Sequence, residues 1–439
     1  MRNIDLELAK WREAKYRKPL LVRGARQVGK TFAIERLGRE QFEGFCKIDF
    51  EQEPELKAAF EQDLVPERIL KDLSSRKRVT ITPEKTLLFF DEIQACPKAL
   101  MSLRYFYEQM PSLHVVAAGS LLEFILHDEE FSFPVGRLQT MYMRPLSFRE
   151  FLHFKGEAQA LEWIQSATWE NPIGPSTHLL LLRLLKEYFI TGGMPGVIYK
   201  TEEMQQIRLE QHSILDVYSN DFGKYAKYSQ LKYLRILFER TPYLVGEHFK
   251  YSKIDPDVDA RALRAAIDLL NRSGLIHRIY CSSASGIPLG SQMNEKRFKL
   301  LFLDVGLLNS RLNTPLDFLS QEDLTLIHAG ALAEQFVGQE LIAYANSYYP
   351  AELFYWEREK MGSDAEVDYV LELGGKMVPL EVKSGKSGRI RSLRQFMTEK
   401  EVPMGVRISQ APLVKEKEIL SVPLYMISEI PRLVNLLNY

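Results

Sequence analysis

Cysteine is nearly missing from this chain of 439 residues: there are three, Cys46, Cys96 and Cys281, far apart and odd in number. That excludes a disulfide framework or a zinc ribbon built on paired cysteines and suits a reducing compartment. No long apolar run is present either. The most apolar helical stretch, His178 to Ile190, is interrupted by Arg183 and Lys186 and is too short to span a bilayer. The opening segment MRNIDLELAKWREAKYRKP carries charge throughout and lacks the apolar centre of a signal peptide, so a cytoplasmic protein without membrane association is expected. Net charge is absent as well: Lys plus Arg is 57 and Asp plus Glu is 58, so any partner has to be read from local charge. Hydrophobic content of 46 % and charged content of 26 % are those of an ordinary globular protein, and the length implies about two to four domains.

What is there begins with LLVRGARQVGKTFAIERL, residues 20 to 37. Gly24, Ala25, Arg26, Gln27, Val28, Gly29, Lys30 and Thr31 fit the GxxxxGK[ST] pattern without mismatch, between an apolar strand-like run and a helix-like stretch. Glycines at 24 and 29 permit backbone angles that aim successive N–H groups inward, a nest for phosphate oxygens at the positive end of the following helix. Lys30 is expected to reach the β- and γ-phosphates of ATP, Thr31 to put its hydroxyl on Mg²⁺, and Arg26 to add a second positive charge near the phosphate path.

Three later segments bear on the same site. TLLFFDEIQ reads as a strand over Thr86 to Phe90, apolar enough to be buried on both faces of a parallel sheet, with Asp91 and Glu92 at its carboxyl end, where ligands of such sheets bind. Asp91 is expected to hold Mg²⁺ through water and Glu92 to polarise the attacking water. A strand from His114 to Ala118 ends at Ser120, which can hydrogen-bond the γ-phosphate or the lytic water, or cap the helix that follows. Arg137, before an alternating strand at Leu138 to Met143, can stabilise transition-state charge in cis or from a neighbouring subunit, or can simply be exposed.

GARQVGKT, LLFFDEIQ, AAGSLLEF and GRLQTMYMRPLSFREFL, in that order, resemble the AAA+ superfamily, specifically the bacterial and archaeal ATPases that carry a C-terminal nuclease-like domain. The resemblance implies Ser120 as first sensor, Arg137 as an arginine near the γ-phosphate, and a helical lid below the ATPase core, to which the bend TGGMPG at 191 to 196 belongs. Gly192 and Gly193 are read as a structural turn.

Downstream, helices at Leu231 to Glu239 and Asp259 to Ser273 precede strands at Leu275 to Tyr280 and Arg297 to Leu303, the pattern of a winged helix. Residues 224 to 312 hold fifteen Lys or Arg against eight Asp or Glu, which suits DNA phosphates, although a winged helix serves protein contacts equally. In the last quarter, strands at Val367 to Leu373 and Val378 to Lys383, joined at Gly374 and Gly375, bring Asp368 to Glu381 and Lys383. Two carboxylates and a lysine at one sheet edge can bind Mg²⁺ and activate water for phosphodiester hydrolysis. The arrangement resembles the D…ExK core of the restriction-endonuclease-like fold, with Glu334 as the helical acid many members add.

The expected architecture is therefore α/β: a P-loop AAA+ parallel-sheet core over 1–150, a helical lid over 151–227, a winged helix over 228–312 and a restriction-endonuclease-like domain over 313–439. The expected function is ATP hydrolysis coupled to DNA, with Mg²⁺-dependent cleavage by the C-terminal domain. The alternative is a nucleotide switch whose later domains only bind partners, protein or a second copy included.

Overall fold

The structure, a computed structural model, describes residues 2–120, 122, 136–200, 203–225, 228–254, 260–314, 329–359, 365–385 and 388–437. Five short strands form the first sheet: β1 (Leu20–Arg23), β2 (Gly44–Asp49), β3 (Thr86–Asp91), β4 (His114–Ala118) and β5 (Gln139–Tyr142). Their order is β2-β3-β4-β1-β5, and every neighbouring pair is parallel. Strands this apolar need cover on both faces, and side-chain alternation divides the cover cleanly. Leu20 and Val22 of β1 face Ala33, Ile34 and Leu37 of helix Lys30–Gln41, together with Leu8 and Trp11 of helix Asn3–Glu13. Leu21 faces the other way, into a core shared with Leu73 of helix Pro66–Lys77 and Leu103 and Phe106 of helix Pro97–Gln109. The carboxyl ends of β1, β3 and β4 thus open on one edge of a sheet locked from both sides.

Helices occupy most of 148–272, including Pro175–Thr191, Met204–Tyr225, Tyr228–Arg240 and Ala260–Arg272. The bend expected at TGGMPG is clamped. Gly192 has φ +73°, and a Cβ there would lie 2.1 Å from Asp304 Oδ1; one on Gly193 would lie 2.1 Å from the Leu146 carbonyl oxygen. Gly193 N–H donates to Asp304 Oδ2 at 2.7 Å. Only glycine fits either place, and the turn joins the segment after β5 to the cap of helix Val305–Arg311.

The second sheet has eight strands: β6 (Ile276–Ser282), β7 (Met293–Phe302), β8 (Leu353–Glu357), β9 (Glu366–Leu373), β10 (Lys376–Val382), β11 (Gly405–Ser409), β12 (Val414–Glu416) and β13 (Ile419–Pro423). The order is β12-β13-β11-β10-β9-β8-β6-β7. Gly374 and Gly375, both at positive φ, make the tight β9–β10 turn. The β6–β7 hairpin pairs through β6 with β8 in parallel, so the boundary expected at 312/313 runs through one hydrogen-bonded sheet. The hairpin is the edge of the C-terminal sheet, which brings residues of the basic unit against the carboxylates of β9 and β10. No helix among the described residues is long and apolar enough to cross a membrane.

Candidate active site

The loop after β1 has the backbone its glycines imply. Gly24 has φ +147°, with the Met143 carbonyl oxygen 2.1 Å from where a Cβ would stand, and Gly29, at φ +96°, opens the helix from Lys30. Lys30 is buried, and its ammonium donates to the carbonyls of Gly24 and Ala25, each at 2.9 Å. Burial lowers its pKa to about 8, against the pull of Glu92 and Asp91. Thr31 Oγ1 donates to Asp91 at 3.0 and 3.2 Å, so the helix start and the end of β3 meet as expected. Hydroxyl and carboxylate oxygens are the donors a small hard cation takes, and Mg²⁺ fits here with phosphate oxygens completing its shell.

Lys47 is a member that sequence reading missed. Its ammonium lies 3.0 Å from Asp91 Oδ2 and 3.0 Å from Glu35 Oε1. Burial raises the Asp91 pKa, and the hydrogen bond from Lys47 opposes the rise. The available signal was a lysine two residues before Asp49 in an otherwise apolar strand, and Asp49 pairs in register with Asp91.

Glu92 takes the left-handed region at φ +48° and ψ +47°, which turns its side chain out of the strand line. Ser120 Oγ donates to Glu92 Oε2 at 3.4 Å, and Gln94 Nε2 donates to the same oxygen at 2.5 Å. Ser120 and Glu92 therefore meet; the helix that Ser120 was expected to cap lies mostly outside the described residues. Arg26 and Arg137 both have acidic partners. Arg26 does not stand free beside the phosphate path: its guanidinium is bound by Asp221 at 2.7 Å and Glu51 at 3.4 Å, which ties the loop to helix Met204–Tyr225. Arg137 precedes β5 and pairs with Glu108 at 3.3 Å, at the sheet edge opposite the chain's own loop, because β5 runs parallel to β1 with Gln139 beside Leu20. That register sets Arg137 at the amino end of the strands, while the loop follows the carboxyl end of β1.

Beside the loop is a cavity of about 280 Å³ lined by Gly29, Phe32, Ala33, Arg36, Pro195 and Tyr199, and the rings of Phe32 and Tyr199 lie 6.4 Å apart. The recess is mixed in character, since Arg2, Glu150 and His153 line it as well. Its sequence signal was weak: Phe32 directly follows the loop, and Pro195 comes from a distant turn.

The C-terminal residues also assemble, with a different outcome. Asp368 Oδ2 accepts from Val382 N–H at 2.7 Å, and Glu381 Oε1 is 2.5 Å from Lys383 Nζ. Burial raises the pKa of Glu334, Asp368 and Glu381 alike, and their mutual repulsion adds to it for Glu334 and Glu381. The balancing charge is Lys299 of β7, 1 % exposed, which pairs with Glu366 and with Glu334 at 3.5 Å. Burial works against its charge, yet Glu334, Glu366 and Asp368 hold it protonated well above the ordinary lysine range. His248 adds a 2.6 Å contact to Glu366. Among the described residues no three His, Cys, Asp or Glu side chains group so as to hold a metal ion; Asp368 and Glu381 are near enough for the charge of Asp368 to raise the Glu381 pKa. The basic unit is likewise partly neutralised: Arg264 pairs with Glu295, Arg278 with Asp268, Arg297 with Glu357 and Lys253 with Glu247.

Comparison with known proteins agrees with the first site. Residues 16–152 match the model of an AAA domain, and the five-stranded parallel sheet of this part is consistent with a P-loop AAA+ fold. Residues 182–317 and 329–425 match two further families, each described as a domain of unknown function, DUF8612 and DUF4143. No curated protein matches. Among solved structures, the Walker-type ATPase of Pyrococcus abyssi is 14 % identical with a TM-score of 0.41, covering 70 % of this chain and 94 % of that one. The Aeropyrum pernix ORC1 protein in complex with DNA is 14 % identical with a TM-score of 0.26, covering 71 % of this chain and 91 % of its own. Drosophila ORC bound to DNA is 14 % identical with a TM-score of 0.24, covering 71 % and 85 %.

Proposed function

We propose that this chain hydrolyses ATP at Gly24 to Thr31 and uses its nucleotide state to set how the helical unit and C-terminal sheet meet a DNA-containing partner. The supporting observation is the convergence of Lys30, Thr31, Asp91, Glu92 and Ser120 at the carboxyl ends of β1, β3 and β4. Loop N–H groups and Lys30 would hold the β- and γ-phosphates. Glu92 would take a proton from water as its oxygen bonds to the γ-phosphorus; the bond to the β–γ bridging oxygen breaks, and ADP leaves with the electron pair. Ser120 would orient that water. Mg²⁺, when held by Thr31 with Asp91 behind it, supplies charge neutralisation on the phosphate oxygens. Stoichiometric ATP binding with steady phosphate release is the expected result, and a chain that binds no ATP would overturn the reading.

Arg137, at the far sheet edge, would meet a γ-phosphate from a neighbouring copy. Mixing Arg137→Ala with Glu92→Gln chains tests this, since a homo-oligomer with shared sites regains turnover and independent sites do not. Three buried free cysteines suit a reducing, cytoplasmic setting.

For the C-terminal domain the observations favour binding over cutting, because a buried lysine compensates the carboxylates. A plasmid-nicking assay with Mg²⁺ or Mn²⁺ separates the two. Nicking by the wild type that Lys383→Ala abolishes would establish a nuclease; equal traces in both support the switch. DNA affinity should fall with salt if cations such as Lys232, Arg235 and Lys296 meet phosphates, and a slope near zero would exclude it.

A further inference from the structure

Between the two glycines of the phosphate loop, Gln27 also takes positive φ, +64°, a region that residues with a Cβ avoid. The residue before it is gripped from outside the loop. Tyr218 Oη donates to the Arg26 carbonyl oxygen at 2.5 Å, and Asp221 Oδ2 accepts from Arg26 Nη1 at 2.7 Å. Tyr218 and Asp221 stand three residues apart on helix Met204–Tyr225, so one turn of one helix holds Arg26 by its backbone and by its guanidinium. Both side chains are buried. Burial pushes the Tyr218 phenol above its ordinary range, so it stays protonated and remains a donor. Burial works against the charge on Arg26, and the hydrogen bond with Asp221 helps to offset it, leaving the guanidinium pKa raised. Lys224 reaches the other oxygen of Asp221, at 3.2 Å, which leaves Oδ2 to Arg26.

The same helix is fixed nearer its start. Two turns before Tyr218, the buried Gln211 donates to the carbonyls of Ile190 at 2.7 Å and Thr191 at 3.3 Å, at the bend whose Gly193 N–H bonds Asp304. The helix therefore runs from the clamped bend to the phosphate loop. A left-handed residue other than glycine persists only where its surroundings hold it, and here the hold comes from the helical unit. We propose that Tyr218 and Asp221 are positioning residues for the phosphate loop: acting through Arg26, they keep Gln27 left-handed and the loop in the shape its phosphate ligand needs, so the seating of the helical unit sets how tightly the loop takes ATP. This rests on the reading of the loop as an ATP site.

Hydrogen exchange on the full, nucleotide-free chain tests the positioning without ATP. Tyr218→Phe removes only the hydroxyl, since the ring keeps its contact with Phe238 at 5.9 Å, and Asp221→Asn removes the charge at the same size. Amides of residues 24–31 should exchange about five- to tenfold faster in either variant, as loss of one hydrogen bond implies. ATP then has to order the loop as it binds, so calorimetric affinity should fall about fivefold, while kcat at saturating ATP stays within about twofold because Lys30, Glu92 and Ser120 are untouched. Adding Gln27→Gly to Tyr218→Phe should recover most of the affinity, since glycine takes positive φ freely. Exchange or affinity unchanged in both variants overturns the proposal, as does a loss that Gln27→Gly does not recover. Tighter ATP binding by Asp221→Asn also overturns it, because Asp221 would then withhold Arg26 from phosphate. The isosteric Tyr218→Phe decides alone should Asp221→Asn not fold. A wild-type chain that bound no ATP would remove the ATPase reading and leave the exchange result to decide the positioning.

Discussion

The phosphate loop and the C-terminal carboxylate cluster are made of the same materials, lysines and acids gathered beside sheet edges, and they differ in what satisfies the lysine. Lys30 rests on two backbone carbonyls of its own loop, weak neutral partners that phosphate oxygens outcompete. Lys299 rests on Glu334 and Glu366 inside the protein, a charged pairing that no incoming ligand improves without first breaking it. Lys30 is therefore held more loosely than Lys299. A catalytic motif is thus judged by the state of its cation as much as by the identity of its acids.

That contrast can be broken experimentally. Lys30→Ala should abolish saturable ATP binding by calorimetry together with turnover, the largest effect expected; retained binding would mean that the loop carbonyls, and not phosphate, are the proper partners of Lys30. Glu92→Gln should leave affinity within a few-fold and slow phosphate release by about 10² to 10⁴, the range for loss of a general base. Unchanged turnover would remove Glu92 from the chemistry.

On the other side of the comparison, Lys299→Met leaves Glu334 and Glu366 without their buried cation, and denaturant unfolding should show a loss of about 3–5 kcal/mol. A loss below about 1 kcal/mol would place the cluster in solvent, as an exposed pair would be. The smallest effect concerns Glu340, which accepts from Phe148 N–H and the Tyr344 hydroxyl, each at 2.8 Å, and so joins the C-terminal helix to the end of the nucleotide domain. Burial raises its pKa from 4.5 to about 8, so the fold favours the protonated acid. That contribution is complete below the unfolded value and is lost as pH rises to about 8. Glu340→Gln, uncharged throughout, should gain melting temperature over the wild type as pH rises from about 5 to about 8. A difference independent of pH would contradict the burial of this acid.

Much of this was legible in the chain. The loop, the strand ending at Asp91 and Glu92, and the strand leading to Ser120 are local patterns whose periods and end residues carry their meaning. Lys47 and Lys299 were not legible, because a lysine in a strand reads as solvated until register sets a carboxylate beside it. Nor was the fate of Arg26 and Arg137. Arg26 is decided by Asp221, 195 residues away, and Arg137 by the parallel pairing of β5 with β1.

The sequence by itself determined the parts that depend on neighbours within a few residues: the phosphate-binding loop, the buried parallel strands, the glycine turns at 192–193 and 374–375. Tertiary structure alone decided which charges meet. The β6–β7 hairpin joins the C-terminal sheet through β8, and that one pairing carries Lys299 onto Glu366 and Glu334. Electrostatic energy depends on distance in space and on exclusion of water, and neither is encoded at the level of a motif.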